Sequence, residues 1–341
     1  MRFDIAFIGF GTVGRGLADL LIEKKTELKE KYSLEYRVVA ISDIKTGSIL
    51  DDNGIDLKEA LRLADSNISI ETMPAKKKGL SALETIKESS SNSIVEVTWT
   101  NITDGEPGYS HMKTALLSGK HVVTTNKGPI ALHYNDLMTI ASAKGAKLKF
   151  KGTVLSGTPT FNLFDGPLAA CSTSSIRGIV NGTTNLILSE MEKGRSYAEV
   201  LKDAQRMGYA EADPTMDVDG WDAAAKVTIL ANYFYGISIT PNDVKRKGIT
   251  SIALDDVMAA KARGERIKLI ARADKKGSNV EVSVSPVPMP TTDPLANIMG
   301  VTNALTFTTD CLGDITIVGP GAGRRATGYA LLTDLISIVG K

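Results

Sequence analysis

The sequence predicts an α/β protein in two parts: a doubly wound parallel sheet, then an α+β domain with a mostly antiparallel sheet. Three observations predict it. Short apolar runs alternate with helical patterns through the first half of the chain. A glycine loop follows the first apolar run directly. After about residue 151 the alternation stops, and grouped helical segments are succeeded by a series of strand-like runs.

In order, the apolar runs at 3–9, 36–42, 94–98, 121–124 and 147–150 read as strands, with a further short one at 68–71. Helical patterns cover 13–29, 81–89, 109–118 and 131–144. Strands separated by helices cannot pair as hairpins, so the sheet is parallel and covered on both faces. In the second part, helices are predicted at 160–170, 184–193, 196–206 and 220–235, the third opened by a capping box of Ser196 and Glu199. Strands follow at 266–273, 280–287, 305–309 and 315–318, with the proline-rich stretch 286–294 separating two of them, and a helix at 325–339 ends the chain. The domains expected are 1–150 for the nucleotide, 151–318 for catalysis and pairing, and 319–341 as a glycine loop and helix returning to the first.

Composition narrows the function. At 341 residues, 43% hydrophobic and 23% charged with a net charge of +1, the chain has no excess charge for nucleic acid or an anionic membrane. Cys171 and Cys311 give neither a disulfide framework nor a metal spacing, and His111, His121 and His133 are dispersed. With no signal peptide and no apolar run near the ~18 residues of a membrane span, a cytoplasmic protein is expected.

Gly9-Phe10-Gly11-Thr12-Val13-Gly14 lies between the first strand and the first helix. The glycines permit a tight turn, close approach of backbone to a pyrophosphate and close packing of helix on strand. The helix N-terminus adds N–H groups and a positive dipole end. The pattern predicts a Rossmann-type site for NAD or NADP, the alternative being a turn that merely happens to be rich in glycine. Asp43, ending the second strand, suits the ribose hydroxyls of NAD, whereas Lys45 suits the 2′-phosphate of NADP, and the choice stays open.

The most telling stretch is Gly208 to Lys226, where Glu211, Asp213, Asp217, Asp219 and Asp222 fall within twelve residues and Lys226 stands four beyond the last. Residues 227–234 are nearly all apolar, so Lys226 sits on a helix with almost no polar face. One reading is structural: Asp219 caps the helix and Asp222 with Lys226 forms an exposed i, i+4 pair worth roughly 0.3–0.5 kcal/mol. The other is a shielded lysine acting as an acid. The density of upstream carboxylates favours the second.

That 19-residue block resembles the signature of homoserine dehydrogenases. So do Thr124-Thr125-Asn126-Lys127, Asn181-Gly182-Thr183-Thr184-Asn185-Leu186-Ile187-Leu188 and Gly319-Pro320-Gly321-Ala322-Gly323, in the same order along the whole chain. The resemblance implies reversible NAD(P)-linked conversion of homoserine to aspartate 4-semialdehyde, toward threonine, methionine and isoleucine. It implies Lys226 as the proton donor to the carbonyl oxygen, Asp222 as the carboxylate holding substrate hydroxyl and lysine, and Lys127 as a second active-site lysine. Glu211 would bind the substrate amino group, with Asp217 and Thr183 also at the substrate. The glycine loop, Thr100, Lys127 and Gly321 would bind the cofactor. A homodimer is implied as well, and the open face of an antiparallel sheet calls for such cover.

Relatives also bind sodium through a glutamate and backbone carbonyls; here the carbonyls would be those of Val154, Ser156 and Thr158, and Lys151 stands at the glutamate's place. A tight sodium site is therefore not expected. Nor is feedback control through the extra regulatory domain of longer relatives. Two other readings compete: an NAD(P)-linked oxidoreductase for a sugar or another amino acid, and a redox sensor without catalysis. The carboxylate-rich block favours an amino-acid substrate, whose ammonium needs an acidic partner.

Overall fold

A computed structural model describes residues 2–340 and divides the chain into two compact units, Met1–Gly157 with Ala322–Lys341, and Thr158–Gly321. The first contains strands β1 (Arg2–Ile8), β2 (Glu35–Asp43), β3 (Gly47–Leu50), β4 (Lys77–Lys78), β5 (Ser93–Glu96), β6 (His121–Thr124) and β7 (Leu148–Lys149). They form one sheet in the order β4-β3-β2-β1-β5-β6-β7. Pairing is parallel from β2 to β7, and β3 and β4 add an antiparallel edge. The strand order reverses between β1 and β5, and a ligand crevice opens beyond the carboxyl ends of strands at such a point.

The closing helix Arg324–Val339 belongs to this core, where Leu331, Leu332 and Leu335 pack in one cluster with Phe7, Leu17 and Leu21. Its approach to the first helix depends on two glycines. A Cβ on Gly16 would lie 2.0 Å from the Arg324 carbonyl oxygen, and one on Gly328 would lie 2.4 Å from the Gly16 carbonyl carbon. The backbones meet because neither residue has a side chain.

The second unit holds β8 (Thr173–Ile179), β9 (Lys245–Arg246), β10 (Glu265–Lys276), β11 (Asn279–Pro290), β12 (Thr302–Thr309) and β13 (Gly313–Pro320) in the order β13-β12-β8-β10-β11-β9. All pairings are antiparallel except β11 with β9. The helices Gly182–Met191, Trp221–Tyr235 and Leu254–Ala262 pack against β10. A polar row of Arg272, Arg177 and Thr306 runs across the sheet, with Ser175 two residues along β8 on the same face and Arg177 paired to Asp293 and Asp314. Segment 294–298 packs with Ile179, Ile270 and Ala304 in a small separate core.

Several sequence expectations are corrected. The predicted helix 13–29 is two helices, Thr12–Glu23 and Lys25–Tyr32, broken at Lys24. The predicted strand at 68–71 is a 3₁₀ turn, Ile70–Thr72, opened by Ser69 accepting the Glu71 N–H. Residues 160–170 form consecutive turns rather than a helix. Prolines 286, 288 and 290 lie inside β11 and do not separate strands. Spaced by two, their missing N–H groups fall on one edge of the strand, and there β9 pairs only with Ser283 and Val284. The opposite edge pairs with β10 along its whole length.

Lys268 is fully buried in β10, donating to the Ile298 carbonyl at 2.7 Å and to Asn185 Oδ1 at 3.2 Å. Burial lowers its pKa from the ordinary 10.5 to about 8, with nearby Glu192 opposing the shift. Between those values the unfolded chain keeps a proton that the folded protein has released, so stability should rise with pH across the window. The expected gain relative to Lys268→Met is on the order of 3 kcal/mol from pH 8 to 10.5. Urea unfolding of both proteins checks this, and a pH-independent difference would contradict it.

Candidate active site

In the first unit, β1 runs into the glycine loop, where Gly9 and Gly14 are constrained by neighbouring backbone. Gly9 has φ +94°, and a Cβ there would meet the Val97 carbonyl oxygen at 2.7 Å. A Cβ on Gly14 would meet the Gly9 carbonyl oxygen at 2.8 Å. Gly11 differs, since a Cβ would meet no protein atom within 4 Å. It is also the N-cap of the Thr12–Glu23 helix and supplies no side-chain hydrogen bond to it. Backbone N–H groups at this helix start can therefore serve an anionic ligand. Thr12 is exposed and Val13 half-buried beside it, whereas the Phe10 ring is buried edge-on against Phe7. These residues fit the pyrophosphate of a dinucleotide.

Asp43 reaches back to this loop. Its Oδ2 accepts the Phe10 N–H at 2.8 Å, and its Oδ1 accepts the N–H groups of Lys45 and Thr46. Burial works against the charge, but these backbone donors outweigh it and hold the carboxyl below its usual range. Lys45 is exposed. On the carboxyl side of β5, Thr100 lies exposed in the following loop. Lys127 is the first residue of the Lys127–Ala143 helix. The residue before it is anchored by the fully buried Glu96, whose Oε2 accepts Asn126 Nδ2 at 3.2 Å.

In the second unit the acidic block folds as two turns and two helices, Thr215–Val218 and Trp221–Tyr235. Gly220, at φ +82°, is the N-cap of the longer helix, so Asp219 does not cap it. Arg246 fixes the turn by donating to the Asp219 carbonyl and stacking 3.8 Å from the Trp221 ring. Every residue from Asp222 to Asn232 is buried.

The exposed-pair reading of Asp222 and Lys226 thus fails. Lys226 is 7% exposed, and its Nζ donates to Asp222 Oδ2 at 2.7 Å and to the Val180 carbonyl at 2.5 Å. Asn181 completes the arrangement: its Nδ2 donates to Asp222 Oδ2 at 2.8 Å and to Asp217 Oδ1 at 2.7 Å. Its Oδ1 caps the Gly182–Met191 helix by accepting the Thr184 N–H. One amide therefore binds two carboxylates and a helix start. Asp217 is pushed above its usual pKa, first by burial and then by the Asp222 charge. Thr183 donates through Oγ1 to the Tyr209 carbonyl at 2.8 Å, which ties in the loop carrying Glu211.

The second unit thus gathers Lys226, Asp222, Asp217 and Thr183 around Asn181, and leaves Glu211 exposed with its carbonyl accepting Gln205 Nε2. Sequence reasoning gave no role to Asn181 or the Val180 carbonyl; an Asn directly before the Gly-Thr-Thr helix start was the available signal. Gly321 lies against the Asn303 side chain, since a Cβ there would fall within 2.6 Å of three of its atoms. Along the segment read for sodium, Val154 and Ser156 are buried, and Thr158 donates to the Pro320 carbonyl. The Lys151 ammonium lies 4.0 Å from Asp334, which is fully buried.

A glycine loop at a strand-order reversal and a buried lysine–carboxylate pair define a pyridine-nucleotide-linked oxidoreductase. Comparison with known proteins narrows this. The family model described as homoserine dehydrogenase matches residues 159–336, and that for the homoserine dehydrogenase NAD binding domain matches 9–151. An NAD(+)-dependent homoserine dehydrogenase of Pseudomonas canavaninivorans is 41% identical over 99% of this chain and 96% of its own. A homoserine dehydrogenase of Methanocaldococcus jannaschii is 41% identical over 98% of both. Among solved structures, a hyperthermophilic archaeal homoserine dehydrogenase in complex with NADPH superposes with a TM-score of 0.85 at 32% identity, covering 99% of this chain and 98% of that one. The chain belongs to the homoserine dehydrogenase family, and its activity is the NAD(P)-dependent interconversion of L-homoserine and L-aspartate 4-semialdehyde.

Proposed function

We propose that Lys226 is the acid and base of this reaction, and that the enzyme serves the biosynthesis of threonine, methionine and isoleucine in the cytoplasm. The bound nicotinamide supplies and accepts the hydride. Hydride addition to an aldehyde builds negative charge on its oxygen, which an ammonium stabilises and then protonates. In the other direction the lysine takes the hydroxyl proton of homoserine. Asp222 stabilises the ammonium, and Asn181 fixes the carboxylate that does so. Asp217 and Thr183 border the substrate, Glu211 receives its amino group, and Lys127 acts as the second lysine. The observation that carries this reading is the burial of Lys226 between Asp222 and the Val180 carbonyl.

For the cofactor, the glycine loop holds the pyrophosphate, with Thr100 and Gly321 as further contacts. Asp43 already serves three backbone donors, so we assign the adenosine end to Lys45 and favour a 2′-phosphate. A charge-assisted contact of this kind is worth roughly 1.5–3 kcal/mol. Kinetics with L-homoserine and both cofactors should show Lys45→Ala raising KM for NADP roughly ten- to a hundredfold while leaving NAD unchanged. Equal change with both cofactors would remove Lys45 from this role. Absence of any homoserine-dependent NAD(P)H formation would remove the reading itself.

A homodimer covering the polar row of the second sheet is also proposed, and sedimentation showing only monomer at micromolar concentration would count against it. With Lys151 at the place of the relatives' glutamate and 4.0 Å from Asp334, no tight sodium site is proposed, and the Val154, Ser156 and Thr158 carbonyls are left as a weak alternative. Among the described residues, no helix is long and apolar enough to cross a membrane.

A further inference from the structure

Cys171 and Cys311 are 140 positions apart in sequence but adjacent in the second unit. Register accounts for this. Strand β8 pairs antiparallel with β12, and the last matched residues are Thr173 and Thr309. Pairing continues one step further, where the Asp310 N–H donates to the Ser172 carbonyl at 3.1 Å and the Ser172 N–H donates to Asp310 Oδ1 at 3.0 Å. Cys171 immediately precedes Ser172, and Cys311 follows Asp310 in the turn that joins β12 to β13, so this pair of bonds brings the two cysteines side by side. The two sulfurs and an Asp310 carboxylate oxygen lie within 4.8 Å of one another. Cys311 is exposed and Cys171 half-buried, so a small oxidant meets the first and the second waits beside it.

We propose that Cys171 and Cys311 form a dithiol–disulfide site that reacts with low-molecular-weight disulfides. The Cys311 thiolate attacks one sulfur of the oxidant, whose S–S bond breaks and releases one small thiol with the proton given up by Cys311. The Cys171 thiolate then attacks the Cys311 sulfur of the mixed disulfide and expels the second small thiol, which takes the Cys171 proton. Two protein S–H bonds are lost, one protein S–S bond forms, and the oxidant is reduced to two thiols. The crosslink joins the end of the 160–171 turn segment to the β12–β13 hairpin, closing a loop through most of the second unit. Phe161 and Phe164 of that segment pack against Phe234, and Phe164 also against Phe307. A covalent tie at Cys171 therefore restrains an aromatic core that already depends on this segment.

The test uses the full-length protein, oxidised glutathione and EDTA, the chelator excluding a thiol-bound metal. Intact mass should fall by two hydrogens, and a non-reducing digest should contain a peptide linking Cys171 to Cys311. Cys171→Ser should stop at the glutathione adduct on Cys311, because the second attack is missing. Thermal melting of the oxidised wild type should rise by several degrees and return on reduction. Stable adducts on both cysteines of the wild type, or crosslinks only between molecules, would overturn the proposal. Homoserine turnover before oxidation should be equal in wild type and Cys171→Ser, which separates this site from the catalytic one.

Discussion

Lys226→Ala should lower kcat for homoserine oxidation by about 10³-fold, within the range for losing a general acid–base group. Binding of NAD(P)H, followed by its fluorescence, should change little, because the glycine loop and its helix lie in the other compact unit. The loss then falls on the chemical step. Lys226→Arg should rescue little despite keeping the charge, since a guanidinium does not release its proton near neutral pH and needs more room than this buried position gives. Retained turnover in Lys226→Ala would discard the lysine as the acid.

Asp222→Ala should cost both activity and stability. Lys226 is buried, and removing the carboxylate deprives its ammonium of a charged partner while Asn181 loses one acceptor. Breaking a buried pair in this one-sided way costs about 3–5 kcal/mol, which corresponds to a fall in Tm of roughly 10 °C. A double variant, Asp222→Leu with Lys226→Met, separates the two effects. With neither charge present, the buried position should recover most of the stability. Activity should stay lost. If the single variant melts within a degree of wild type, the ammonium is not held as described.

These two residues could be read from the chain because their relation is local: four positions on one helix place both side chains on the same face. The glycine loop was legible for the same reason, being a strand, a turn and a helix start in unbroken sequence. What surrounds Lys226 was not. The Val180 carbonyl and Asn181 come from more than forty residues upstream, delivered by β8, a strand whose Thr-Ser-Ser start carries no apolar alternation. Its Arg177 lies in the row with Arg272 and Thr306, and Ser175 with Asp274 and Thr308, so the usual strand signal is absent.

Segment 160–170 failed in the opposite sense. Its apolar residues mimic a helical period, but Phe161 and Phe164 are placed by Phe234 and Phe307, and Gly166-Pro167 prevents a continuous helix. The prolines of β11 misled because proline marks a break only where a ladder needs its N–H. Local rules held for the glycine loop and the Asp222–Lys226 spacing, while tertiary pairing decided β8 and segment 160–170.

The most direct measurement is a crystal structure with homoserine and oxidised cofactor bound. Lys226 Nζ should lie within about 2.6–3.2 Å of the homoserine hydroxyl oxygen, with Asp222 still holding the ammonium. A hydroxyl engaged by a different acid–base side chain, with the Lys226 amine out of its reach, would contradict the account.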